Sequence, residues 1–131
     1  MELLFPNRKE AALGSLGFQV VYHLFNLQDG FTAEMNFFPA EEDRPHPIPE
    51  ILALSIAYEL DLENFLRALI ERGIEPQAEF RRGPFVIAGG VLPQLNPMPL
   101  SPFVDLFLLG DGELLIPRFC EIYSEYYLEG K

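Results

Sequence analysis

Ile51-Leu52-Ala53-Leu54-Ser55-Ile56-Ala57 is the stretch on which the fold turns. It is short, almost continuously apolar and bounded by the polar Glu50 on one side and Tyr58-Glu59 on the other. A half-exposed strand alternates apolar with polar residues, whereas a central strand of a parallel sheet is buried on both faces and reads as an unbroken apolar run. Working outward, Glu2–Phe5 is a similar run stopped by Pro6, and Pro84–Ala88 is another that leads directly into Gly89-Gly90. Thr32–Phe38 alternates weakly and is rich in aromatics, which predicts an edge strand. Val104–Leu109 supplies a fifth strand.

Helices lie between the strands. From Arg8 to Asn26 the residues Leu13, Leu16, Val20, Leu24 and Leu27 recur at three- and four-residue spacing and predict one buried helical face, with Gly14 and Gly17 inside that helix. Asp61 is placed to cap a second helix lined by Phe65, Leu66, Leu69 and Ile70, with Gly73 as its C′ residue. A last helix runs from Gly110-Asp111-Gly112-Glu113 to about Leu128 with the face Leu115, Phe119, Ile122 and Tyr126. Pro39–Pro49, with its four prolines and the charges Glu41, Glu42, Asp43 and Arg44, is a surface loop. Val91–Pro102 has room for at most a turn of helix. The alternation predicts a doubly wound α/β domain of flavodoxin-like type over residues 1–131, with a mostly parallel five-stranded sheet and helices on both faces.

Composition narrows the function classes. The chain has 131 residues, enough for one core, and 49% of them are hydrophobic. Twenty Asp and Glu against nine Lys and Arg give a formal charge of −11, so phosphate backbones repel the surface and direct nucleic-acid binding is not expected. Cys120 is the lone cysteine, so no intrachain disulfide, Cys-rich zinc site or iron–sulfur cluster can form in this chain. With no long apolar run and no leader-like N-terminus, a cytoplasmic protein without a membrane span is expected.

In an open parallel sheet a ligand sits outside the carboxyl ends of the strands. That rule selects four loops and the candidate binding residues Asn7, Tyr58, Glu59, Gly89, Gly90, Asn96, Gly110, Asp111, Gly112 and Glu113. Asp111 and Glu113 also suit the plainer role of a helix cap and its dipole partner. Gly89-Gly90 lacks the third glycine of a dinucleotide fingerprint and also suits a tight turn. His23 reads as a structural helix residue, His46 as part of a solvated loop, and Cys120 as a small buried hydrophobe. No serine among Ser15, Ser55, Ser101 and Ser124 sits in a nucleophile elbow, and no triad, metal cluster or catalytic residue emerges.

Several blocks taken in order resemble one family. They are Leu13 to Asn26, Leu54 to Asp61 followed by Asn64-Phe65-Leu66, Pro84 to Gly90 with Asn96-Pro97-Met98-Pro99-Leu100, and Phe103 to Pro117. This succession is similar to the N-terminal, cobalamin-binding-like domain of a radical-SAM protein family. The resemblance implies a flavodoxin-like or Rossmann-like fold ahead of a radical-SAM barrel in a larger polypeptide. It further implies an accessory role in an iron–sulfur, S-adenosylmethionine-dependent enzyme acting on RNA or a small metabolite. The chain lacks the C-x-x-x-C-x-x-C cluster motif, so no cluster is expected here. It also lacks the D-x-H-x-x-G motif whose histidine ligates cobalt: the loop after the first strand reads Pro6-Asn7-Arg8-Lys9-Glu10. The expectation is therefore an accessory domain, degenerate as a cobalamin site and not catalytic alone. The alternative is a free-standing corrinoid or nucleotide-binding module. Phe31–Phe38 and Tyr123, Tyr126 and Tyr127 are the candidate patch for the barrel, or for a homodimer of the isolated domain.

Overall fold

The computed structural model describes residues 1–38 and 47–128. Its sheet has five strands, β1 (Glu2–Phe5), β2 (Glu34–Phe37), β3 (Ile51–Ser55), β4 (Phe85–Gly89) and β5 (Leu106–Phe107), in the order β2-β1-β3-β4-β5. All four strand pairings are parallel, with Leu4 opposite Leu54 and Leu54 in turn opposite Ala88. This is the flavodoxin-like strand order, whose switch point lies between β1 and β3. The expected fold class is what is found. β2 is an edge strand, as its weak alternation predicts. β5 is shorter than the expected Val104–Leu109, reduced to two residues.

Alternate residues of the strands feed two cores. Leu3, Phe5, Ile51, Ala53 and Ile87 face α2 (Leu16–Asn26) and α5 (Gly112–Tyr123). Leu4, Leu52, Leu54, Val86 and Ala88 face α3 (Asp61–Glu71) and the buried Leu100 and Val104. Helices on both faces explain why the middle strands carry no polar alternation. The remaining helices are α1 (Lys9–Leu13) and α4 (Val91–Leu95). α4 and a 3-10 turn at Met98–Leu100 give the proline-rich stretch 91–102 more helix than expected.

The long helix expected from Arg8 to Asn26 is two. Gly14 ends α1, and the Ser15 hydroxyl accepts the Phe18 N–H at 3.3 Å to start α2 afresh. The expected apolar face is also overturned. Leu13, Leu16, Val20 and Leu27 are exposed and Leu24 is half-buried, while Phe18 and Phe25 enter the core. α2 is apolar on both sides, so periodicity alone selected the outer stripe, and the larger aromatic volumes took the interior.

α5 shifts likewise. Its buried face is Ile116, Phe119, Cys120 and Tyr123, whereas Ile122 and Tyr126 are exposed and Leu115 is half-buried; the helix then passes into a π turn over Ser124–Leu128. Phe119 stacks on Phe85 with ring centroids 6.4 Å apart and meets Phe25 edge-on at 6.5 Å, closing the amino end of this layer. Phe31 meets Tyr123 edge-on at 6.1 Å, so these two aromatics of the expected docking patch are spent inside the molecule. The side chain of Tyr127 lies outside the described residues, as do residues 39–46 of the expected proline-rich loop, His46 among them.

α3 ends as expected on Gly73, whose φ of +71° is readily adopted by glycine. The Gly73 and Ile74 N–H groups reach back to the Ile70 and Leu69 carbonyls, the double closure of a Schellman motif. Ile70 is exposed rather than lining the core, and Ala68 is buried in its helix's contact face. Asp61 is not a cap: it is the first residue of α3, and the flanking Leu60 donates no capping side chain.

Candidate functional site

Between the sheet and the α2/α5 layer, at the carboxyl end of the strands, lies a cavity of about 220 Å³. Small residues open it. Its floor includes Ala53 and Ser55 of β3, and its walls include the first turns of α2 and α5, where Gly17 and Gly112 carry no side chain. Phe5, Phe18, Val21, Phe25 and Ile116 make the deep part apolar. Ser15, Ser55 and Gln94 are its polar side chains, and no Asp, Glu, Lys, Arg or His lines it among the described residues.

Gly90 shapes the mouth. Its φ is +110°, and a Cβ there would lie 2.8 Å from the Ile56 carbonyl oxygen, so both backbone angle and space restrict this position to glycine. Gly89 is less constrained, with the Leu108 carbonyl oxygen at 3.4 Å from a Cβ built there.

Four of the ten candidate residues therefore line this cavity: Gly89, Gly90, Gly110 and Gly112. The other six do not. Asn7 is committed elsewhere, its Nδ2 donating to Asp61 Oδ1 at 3.0 Å and its Oδ1 accepting the Arg8 N–H at 2.7 Å. Tyr58 and Glu59 are exposed in the turn that starts α3, where their carbonyls accept the Asp61 and Leu62 N–H groups. Asn96 accepts the Met98 N–H, and Asp111 caps α5 by accepting the Glu113 N–H at 2.9 Å, leaving Glu113 exposed in the first turn. For Asp111 and Glu113 the plain capping role is the observed one.

The residues that sequence reasoning missed are those of α2, above all Ser15 and Phe18, and Ser55 at the end of β3. The Gly14-Ser15 pair was the available signal. A serine following a glycine inside an apolar helical pattern marks a new N-cap, and that cap brings the start of α2 to the carboxyl edge.

The switch point between β1 and β3 is filled by the protein's own side chains. Besides the Asn7–Asp61 bond, Asn64 Nδ2 donates to the Pro6 carbonyl at 3.1 Å, tying α3 to the loop after β1. Asp61 is buried, and its Oδ2 has no hydrogen-bond partner. Burial pushes its carboxyl above the ordinary aspartate value, partly offset by the bond from Asn7. On the α2/α5 side, burial pushes the Cys120 thiol up to about 12, which makes it an inert core residue rather than a nucleophile.

A rim of exposed apolar side chains adjoins the cavity's lining residues in the chain. Leu16 flanks lining positions at the start of α2, Tyr58 follows the lining residue Ala57 in the connection after β3, Leu60 is 88% exposed in the same connection, and Leu95 at 79% follows Gln94. Leu109 and Leu114 continue the rim beside Gly110 and Leu115. Large apolar groups gathered at one edge mark a surface that other matter covers.

A family model described as radical SAM proteins, N-terminal, matches residues 40–131. The chain belongs to this family. The matched segment holds β3, α3, β4, α4, β5 and α5, and with them Gly89, Gly90, Gly110 and Gly112 of the cavity lining, while Gly17 lies outside it. No curated protein and no solved structure matches the chain. Membership implies a radical SAM catalytic domain in the same parent polypeptide. Among the described residues no helix is long and apolar enough to cross a membrane.

The domain's residues can be tested against the group that its resemblance implies. Among the described residues the one histidine, His23, is exposed on α2 and does not line the cavity, and Asn7 is held at both ends of its amide. The described carboxyl edge thus offers cobalt no imidazole, and these residues do not fit a histidine-ligated corrinoid.

Proposed function

We propose that this chain is the accessory, cobalamin-binding-like domain of a radical SAM iron–sulfur protein, degenerate at the cobalt-ligand position and not catalytic by itself. Its task is to seat the carboxyl edge of the sheet against the radical SAM barrel of the parent protein. Exposed apolar side chains along the carboxyl edge of the sheet, together with a cavity there whose described lining is uncharged, are the observation that carries this reading. An enzyme working alone needs a nucleophile, base or metal set converging on its cleft, and the described lining offers two serines and a glutamine. Covering Leu60 and Leu95 removes from water two side chains that contribute about 1.5–3 kcal/mol each when fully buried.

The test is co-expression of the domain with the catalytic domain of its parent protein. Leu60→Glu and Leu95→Glu are expected to lower co-purification by at least about tenfold, since each leaves an unpaired carboxylate at the contact, while the thermal melt of the domain stays unchanged. Undiminished co-purification with both variants would sink the docking role.

A second reading, a corrinoid or nucleotide binder acting in its own right, draws on the cavity. The uncharged lining favours an uncharged ring-bearing group over a nucleotide's phosphates. Equilibrium dialysis against hydroxo-, methyl- and adenosylcobalamin separates the readings. No saturable uptake is expected from the degenerate domain. Uptake that is lost in Gly90→Val would make the domain a working carrier instead.

A further inference from the structure

Two carboxyls are buried among the described residues, and the fold treats them differently. Glu2 pairs with the Arg72 guanidinium, whereas Asp61 has no cation and a single hydrogen bond, from Asn7 Nδ2 to its Oδ1 at 3.0 Å. Its Oδ2 is shut off from water and from every donor. Described charged groups stand on both sides of it, Arg8, Lys9 and Glu10 from the loop after β1 into α1, and Glu59 and Glu63 from the start of α3. All five are exposed and none forms an ion pair with it. The end of β3 beneath contributes Ser55 and no ionisable side chain.

Asp61 is also the first residue of α3, which opens a second position to it. Turned outwards, it would lie in water at the positive end of an 11-residue helix whose N-cap, Leu60, supplies no side-chain acceptor, and a carboxylate is favoured there. Turned inwards, as observed, it is denied water, which disfavours the charged form. We infer that Asp61 is a proton-operated latch on the switch-point crevice between β1 and β3. With its proton on, it stays inside and holds Asn7, and with it the loop after β1, against the start of α3. When the proton leaves to water, the carboxylate turns out to the helix N-terminus, Asn7 loses its acceptor and the crevice opens. The Asn64 bond to the Pro6 carbonyl does not involve the proton, so the movement is a local swing about that tie and not an unfolding of the edge. Ligands of doubly wound sheets enter at this crevice, and the latch makes entry depend on pH, closed in acid and open above the folded midpoint. It is independent of what fills the cavity or docks on the rim.

Nuclear magnetic resonance on the full 131-residue chain tests it, following the Asp61 carboxyl carbon and the Asn7 side-chain amide from pH 3 to 8. The two signals are expected to share one midpoint above the ordinary aspartate value of 3.8. Solvent exchange of the Asn7 amide, corrected for its intrinsic pH dependence, is expected to rise at least about tenfold through that midpoint. In Asp61→Asn, which keeps an oxygen for Asn7 and cannot ionise, exchange is expected to stay flat. Asn7→Ala separates a latch from a passive bond. The Asn7 bond by itself favours the carboxylate, so losing it without opening raises the Asp61 midpoint, whereas losing a lid admits water and lowers the midpoint towards 3.8. The latch requires the fall. A rise in Asn7→Ala, an Asn7 amide that ignores the titration of Asp61, or an ordinary Asp61 midpoint overturns the proposal. The last two are read on the unaltered chain, so a variant that fails to fold leaves the test standing.

Discussion

Asp61 is a carboxyl placed where the fold gives it one bond instead of the several a carboxylate usually accepts. Its Oδ1 takes the Asn7 amide, its Oδ2 takes nothing, and water is excluded. Because burial raises its pKa in the folded state, the folded chain holds this proton more tightly than the unfolded chain does. The sign follows: the stabilisation is fully present below the ordinary aspartate value of 3.8 and is lost as pH rises through the higher folded value. Asp61→Asn keeps an oxygen for Asn7 and removes the ionisation. Urea denaturation across pH 4 to 7 is expected to show a flatter stability profile for the variant, with its advantage over the parent chain growing towards pH 7. A parent and variant whose difference does not change with pH would show that Asp61 binds its proton equally in the folded and unfolded chains.

At the scale of elements, strands and helices differ in how far the amino-acid order discloses them. β1, β3 and β4 are readable because burial on both faces forces unbroken apolar runs, and glycine placement ends α3 on Gly73. Helix register is not readable where both faces are apolar. In α2 the stripe Leu16, Val20 and Leu27 competes with Phe18 and Phe25, and only the space against the sheet decides between them. The same limit hid half the site: the strand-end rule located Gly89, Gly90, Gly110 and Gly112, but a helix drawn straight through Ser15 kept α2 away from the cavity. Ser15 is accordingly the residue on which the start of α2 rests. Ser15→Ala is expected to cost about 1 kcal/mol in urea denaturation, and Ser15→Asp, which restores an acceptor, to recover most of it. Equal losses in both variants would assign the serine a packing role instead of a capping one.

For the whole molecule, the boundary of the family match and the boundary of the fold do not coincide. The match begins at residue 40, yet β1 lies inside the sheet with β2 on one side and β3 on the other, and α2 is half of one helical layer. A fragment of residues 40–131 would bare the ladder edge of β3 and the apolar side chains of one core. Such a fragment is expected to aggregate and to lack a cooperative thermal transition, against a single sharp transition for the full chain; a soluble, cooperatively melting fragment would show that the first 39 residues are dispensable. The register of Glu2 against Leu52 adds a matter of timing, since the two partners are 50 positions apart in the chain. A ribosome adding about 5–20 residues per second makes β1 wait roughly 3–10 s for β3 to be synthesised. Throughout that interval the nascent segment, with its charge-free helix already made, has only β2 to pair with β1 and lacks the central strand on its other side. The protein's most vulnerable state is thus a stage of its own biosynthesis, when shelter by a chaperone matters most.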